Sequence, residues 1–195
     1  MNEMRNKYEV FHALCEGRRS HRKLSSEVVS DEMIDKILAT AATAPFASGR
    51  KNWRIVVVED KEVYGEMVAA IERRTQEMAE GMEPEMAMMF ERYVANFTQF
   101  ADAAALLVPV FRVAPVMRSL LRDSVTPALE DWERDNAVKS ISCVAMLVLL
   151  AAESLGLGAC YMTGALVAGE ELAQIIGLAA GQEIGAIIPI GYPLK

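Results

Sequence analysis

The chain has 195 residues, 52% hydrophobic and 24% charged, with a formal net charge of −7. That is enough apolar matter for a packed core, and it excludes disorder. The acidic balance excludes nonspecific nucleic-acid binding, and two histidines with three scattered cysteines exclude a zinc site of ordinary spacing.

The first residues lack an apolar h-region, so no secretory signal is expected. The odd cysteine count suits a reducing compartment, and a cytoplasmic chain is expected. Residues 4–16 read as a helix. Tyr8, Phe11, His12 and Cys15 recur at spacings of three and four on one face, so His12 is expected to pack in the core. Gly17 ends the helix. It opens the run Gly17-Arg18-Arg19-Ser20-His21-Arg22. If that run is extended, Arg18, Ser20 and Arg22 point one way and Arg19 and His21 the other. Guanidinium forks flanking a hydroxyl suit a phosphate; the alternative is a solvated basic turn. Ser30 is an N-cap, with Asp31 and Glu32 in the first turn of the next helix. Met33, Ile34, Ile37, Leu38 and Ala41 form its buried stripe, and Pro45 stops it.

The loop Pro45-Phe46-Ala47-Ser48-Gly49-Arg50-Lys51-Asn52 feeds a strand at 53–58, whose apolar run predicts burial on both faces. Such a loop either lets a flat ligand approach the backbone or is an ordinary connection. Residues 61–79 form a helix, and a second runs over 85–100. The stripe Met86, Met89, Phe90, Tyr93, Phe97 and Phe100 of the second is expected in the core. Asn96 and Gln99, three apart, reach one neighbour. Residues 104–111 read as a strand, with Pro109 marking an edge or an end. Residues 112–128, with Pro115, Pro127, Arg112, Arg118 and Arg122, are either a connector with a short helix or a cover over a site.

The longest helix spans 129–155 and is apolar on every face from 141 to 152, which predicts burial in a core or a subunit interface. Its apolar stretch falls short of the roughly 20 residues of a membrane span. Cys143 and Cys160 are expected to pack as small hydrophobes. A strand at 159–162, the turn Thr163-Gly164, a helix at 170–177 and a strand at 184–190 complete the chain. The glycines at 156 and 158 follow a helix and precede a strand, the reverse of a dinucleotide fingerprint. No repeat or linker divides residues 1–195, and a single domain is expected.

In order and spacing, Phe11…Gly17-Arg18-Arg19-Ser20-His21-Arg22, Ala44-Pro45, Trp53-Arg54-Ile55-Val56-Val57-Val58, Leu155-Gly156-Leu157-Gly158 and Ile190-Gly191-Tyr192-Pro193 resemble the FMN-dependent nitroreductase-like flavoproteins. The resemblance spans residues 10 to 193. It implies an α+β fold: a three-layer α/β/α sandwich with a mixed, mainly antiparallel sheet, forming a homodimer with FMN at the interface. Arg18, Arg19, Ser20 and Arg22 match positions that grip the FMN phosphate and the ribityl or flavin edge. Pro45, Phe46, Ala47 and Gly49 match the loop that reaches the partner's flavin. Asn96 and Gln99 match contacts to the pyrimidine side, Gln99 replacing a frequent Lys. Thr163 and Gly164 match the turn whose backbone N–H faces flavin N5. Lys195 stands where a basic tail contact is expected. Three features depart from the family pattern: Phe46 replaces Ser after Ala-Pro, the family's Asn-x-Gln-Pro-Trp is Gly49-Arg50-Lys51-Asn52-Trp53, and the tail ends at Leu194-Lys195. The implied activity is hydride transfer from NAD(P)H through flavin N5 to an electron-poor acceptor, a nitroaromatic or quinone, by a ping-pong mechanism. It needs no catalytic triad or metal, since the cofactor carries the chemistry. The alternatives are an FMN-binding carrier or redox sensor without turnover, and a cofactor-free dimer whose arginines bind another anion.

Overall fold

A computed structural model describes residues 2–47 and 51–194. Among the described residues seven helices surround a five-stranded sheet: α1 (Asn2–Gly17), α2 (Asp31–Ala41), β1 (Trp53–Val58), α3 (Lys61–Ala79), α4 (Pro84–Val94), β2 (Ala105–Phe111), α5 (Val116–Leu121), α6 (Pro127–Ser154), β3 (Gly158–Ala159), α7 (Gly169–Ile175), β4 (Glu183–Ile184) and β5 (Ile188–Gly191). The sheet order is β1-β2-β5-β3, with β4 also on β2, and every strand pair is antiparallel. One isolated parallel bridge, Ser20 to Ala159, makes the pairing mixed.

β2 organises the core. All seven of its residues are buried, and alternation divides them between the two faces. Ala105, Leu107 and Phe111 pack with α2 and α6, while Leu106, Val108 and Val110 pack with α3 and α7. Helices therefore cover both faces, giving the expected three layers. α2 starts as its sequence dictates, with Ser30 Oγ accepting the Met33 N–H. Gly156, at φ 74°, lets the chain turn out of α6.

Several expectations change. β1 is half-buried rather than buried on both faces, because it pairs only with β2 and Arg54 faces solvent. Pro109 lies within the central strand, not at an edge. Its carbonyl accepts the Gly185 N–H at 2.8 Å, so its missing donor faces the break between β4 and β5, where no ladder bond is lost. That break splits the single strand expected at 184–190. The strand expected at 159–162 is β3 plus a bridge from Met162 to Ile187.

The apolar faces of α1 and α4 are not core. Tyr8 and Phe11 are 65% and 55% exposed. His12 is exposed too, its Nδ1 3.3 Å from Glu16, and Cys15 is exposed. α4 ends at Val94, leaving 95–102 as turns. Met86, Met89 and Tyr93 are exposed, and only Phe97 and Phe100 of that stripe are buried.

α6 spans 28 residues, and its most apolar 18-residue window has a mean hydropathy of 1.7, enough by length and composition to cross a membrane. This corrects the expectation that it is too short. Packing accounts for the apolarity: Ile141, Val144, Ala145, Val148 and Ala152 are buried against α2 and the sheet. One stripe stays open, with Trp132 52% and Met146 48% exposed. Cys143 is also exposed, contrary to expectation, whereas Cys160 is buried.

Candidate functional site

The chain leaving α1 runs extended beside the sheet edge. His21 N–H donates to the Ala159 carbonyl at 2.9 Å, Ser25 N–H to Tyr192 at 2.8 Å, and Leu194 N–H to Lys23 at 3.1 Å. His21 packs onto Gly158, where a Cβ would lie 2.9 Å from the His21 Cβ and 2.8 Å from Leu24 Cδ2. Ser20 bridges Ala159, next to Cys160, and Arg18, Ser20 and Arg22 act on the Cys160 thiol. Burial pushes the Cys160 thiol up from its ordinary value, while the Arg22 guanidinium, a hydrogen bond with Ser20 and the Arg18 guanidinium pull it back. Two guanidinium groups and a hydroxyl thus stand within electrostatic reach of one thiol, a set of donors that suits a phosphate-sized anion. Arg19 turns away, as the alternation predicts. Its guanidinium donates to the Arg18 carbonyl at 3.0 Å and to that of Glu16, capping the end of α1.

The 163–164 turn stands on the same sheet edge. Met162 and Ile187 exchange backbone hydrogen bonds at 3.0 and 2.9 Å, which places exposed Thr163 just past the bridge. Among the described residues the Thr163 N–H has no backbone acceptor. Gly164 carries the Phe97 ring so closely that any Cβ there would overlap it. Phe97 meets Tyr93 edge-on, with ring centroids 5.2 Å apart. The turn bearing exposed Asn96 and Gln99 is therefore docked on the Thr163–Gly164 turn.

Pro45, Phe46 and Ala47 lie elsewhere. Ala47 N–H donates to Ser140 Oγ on α6 at 3.0 Å, and the Phe46 ring sits 6.4 Å from that of Trp53. With α6 and residues 112–117 they line a cavity of about 570 Å³. The 112–128 segment holds α5 and a short 3-10 turn, so it is a connector with a helix and also a wall of this cavity. Gly49 and Lys195 lie outside the described residues.

Sequence reasoning missed Trp132, Glu133, Asn136 and Ser140, which line the cavity from α6. The sequence carries no distinct signal for them, because positions 130–140 of α6 are mostly charged or polar and nothing marks these four among their neighbours. Glu133 is only 9% exposed, and its carboxylate accepts the Met117 N–H at 2.7 Å. Among the described residues no cluster of three His, Cys, Asp or Glu could hold a metal.

The two groups occupy different stations along α6. Gly17 abuts Glu153, a Cβ there lying 3.0 Å from its Oε1, whereas Ala47 is tied to Ser140. At ~1.5 Å rise per residue these stations are about 20 Å apart.

Comparison with known proteins gives the following matches. The family model described as Nitroreductase family matches residues 15–192. Iodotyrosine deiodinase 1 of Pongo abelii is 27% identical over 203 residues, covering 99% of this chain and 64% of that protein. This chain thus spans somewhat under two thirds of that relative's length. Among solved structures, a BluB-like flavoprotein from Clostridium difficile 630 superposes with a TM-score of 0.82 at 23% identity, covering 94% of this chain and 90% of the other. A nitroreductase with bound FMN from Desulfitobacterium hafniense DCB-2 gives a TM-score of 0.70 at 21% identity, covering 95% and 89%.

Proposed function

The chain belongs to the nitroreductase family, and on that premise we propose that it is an FMN-dependent oxidoreductase working as a homodimer. The observation that carries this reading is the extended Arg18–Arg22 run, pinned to the sheet edge by the Ser20–Ala159 bridge and the His21 and Ser25 N–H bonds, with both guanidinium groups within electrostatic reach of Cys160. Arg18 and Arg22 bind the FMN phosphate, with the Ser20 hydroxyl between them. The free Thr163 N–H serves as a preorganised donor at the ring's N5 edge. Asn96 and Gln99 meet the pyrimidine edge. Arg19 supports the end of α1, and Gly49 and Lys195 complete the loop and tail contacts. When bound, FMN supplies the redox chemistry, taking hydride from NAD(P)H and passing it to an electron-poor acceptor by a ping-pong sequence.

Pro45, Phe46 and Ala47 act on the flavin of a second copy. Two observations support this: their separation from Arg18 along α6, and the apolar side chains left open on α1 and α6, Tyr8, Phe11, Trp132 and Met146. The cavity beside Phe46 is then the acceptor end. Its apolar walls and few polar groups suit a flat aromatic acceptor such as a quinone or nitroaromatic. The deiodinase relatives extend that class to halogenated aromatics. Three free thiols suit a cytoplasmic location.

The visible spectrum of the purified protein tests this reading. A flavin spectrum that bleaches with NAD(P)H and returns with a quinone is expected. A colourless chain that FMN cannot reconstitute overturns it. Phe46, bulkier than the serine of the family pattern, favours a second reading, an FMN-binding module without turnover. Bound flavin that NAD(P)H cannot bleach would select it.

A further inference from the structure

The wall of the cavity is held only lightly by apolar packing. α5 has no fully buried residue, Val116 and Met117 are half-buried, and Leu120 and Leu121 are 70% and 41% exposed. Apolar burial, the usual fastening of a helix, is therefore slight here. In its place two carboxylates on α6 grip consecutive residues of α5. Glu133 accepts the Met117 N–H at 2.7 Å, and Glu130 pairs with Arg118, whose Nε lies 3.0 Å away. Glu130 and Glu133 are three apart and so project from one face of α6. α5 ends at Arg122 with φ 49°, which a residue other than glycine resists. The segment is thus strained at one end and fastened at the other.

We propose that Glu133 is a positioning residue whose carboxylate latches Val116 and Met117 over the cavity, fixing its width and so the fit of flat aromatic acceptors. The latch itself follows from contacts within this chain; its effect on acceptors rests on the function proposed above. Glu133 is the stronger fastening of the two because it is buried. A hydrogen bond shielded from water holds better than the Arg118–Glu130 pair, which is exposed on both sides.

The test uses the full chain with Glu133→Ala and Glu133→Gln. Glutamine keeps a carbonyl oxygen with the same reach, so it separates loss of the latch from general damage. Limited trypsin digestion is followed at Arg118 and Arg122, with and without FMN. Cleavage is expected to be about tenfold faster in Glu133→Ala and close to wild type in Glu133→Gln. With 1,4-naphthoquinone as acceptor, Glu133→Ala is expected to raise KM about tenfold with a smaller change in kcat, and Glu133→Gln to restore it. Equal cleavage of the wild type and Glu133→Ala overturns the latch, whatever the activity. Faster cleavage with an unchanged KM overturns its role in acceptor fit. If the wild type neither binds FMN nor turns over, the function proposal fails, and the cleavage rates still decide the latch.

Discussion

The Arg18–Arg22 segment and the cavity around Phe46 are fastened in opposite ways. Around Arg18, Ser20 and Arg22 the backbone is pinned by main-chain hydrogen bonds to Ala159 and Tyr192, and Gly158 and Gly164 leave no room for their neighbours to shift. Around Phe46 the walls are held by side chains: Ser140 to Ala47, Glu133 to Met117 and Arg118 to Glu130. Main-chain bonds resist substitution because every residue supplies the same groups, whereas a side-chain tie is lost with one mutation. A site that must hold one fixed group and admit varied ones is expected to divide in this manner.

The largest effect should come from the rigid region. Arg18→Ala combined with Arg22→Ala removes two charge-assisted bonds worth about 1.5–3 kcal/mol each, so FMN affinity, read by flavin fluorescence titration, should fall by a factor on the order of a hundred or more. A double variant that purifies with full flavin breaks the comparison outright. Next is Gly164→Ala, which forces its new methyl into Phe97. Overpacking of this kind costs about 1–3 kcal/mol, and a lower thermal midpoint should be partly restored by adding Phe97→Leu. An unchanged midpoint would mean that this region is not rigid.

Ser140→Ala sharpens the other side. It removes the acceptor for Ala47 N–H, a loss of about 1 kcal/mol. Acceptor KM should rise severalfold while FMN affinity stays nearly level; equal changes in both would erase the distinction. The smallest effect concerns Cys160, whose thiol burial pushes up against the pull of Arg22, Ser20 and Arg18. The protonated thiol is favoured in the folded chain. The associated stability is complete below the ordinary thiol value of about 8.5 and declines as pH rises through the lifted one. Urea midpoints at alkaline pH should fall less steeply in Cys160→Ala than in the wild type. Parallel slopes would show that the pull of the cations cancels the effect of burial on this thiol.

Motifs with a local physical cause were legible. The Ser30 cap, the extended Arg18–Arg22 run, the helix at 61–79 and the apolar run of β2 all follow from capping, alternation and continuous hydrophobicity. The outward faces of α1 and α4 were not, because periodicity reports that a face is apolar and not what covers it. Pro109 misled for a related reason: a proline is tolerated inside a sheet where the neighbouring strand breaks, and that break lies some 75 residues away in sequence.

The sequence by itself determined the helix caps and the Arg18–Arg22 run, since these depend on residue type and short-range spacing, and its motifs carried the family resemblance that implied the layers. Only the tertiary structure decided that Cys160 lies within electrostatic reach of those cations, that Phe97 docks on Gly164, and that Glu133 and Ser140 fasten the far cavity. Each of these joins groups brought together by the path of the sheet and by the length of α6, and the energy of a contact depends on distance in space, which spacing along the chain does not encode.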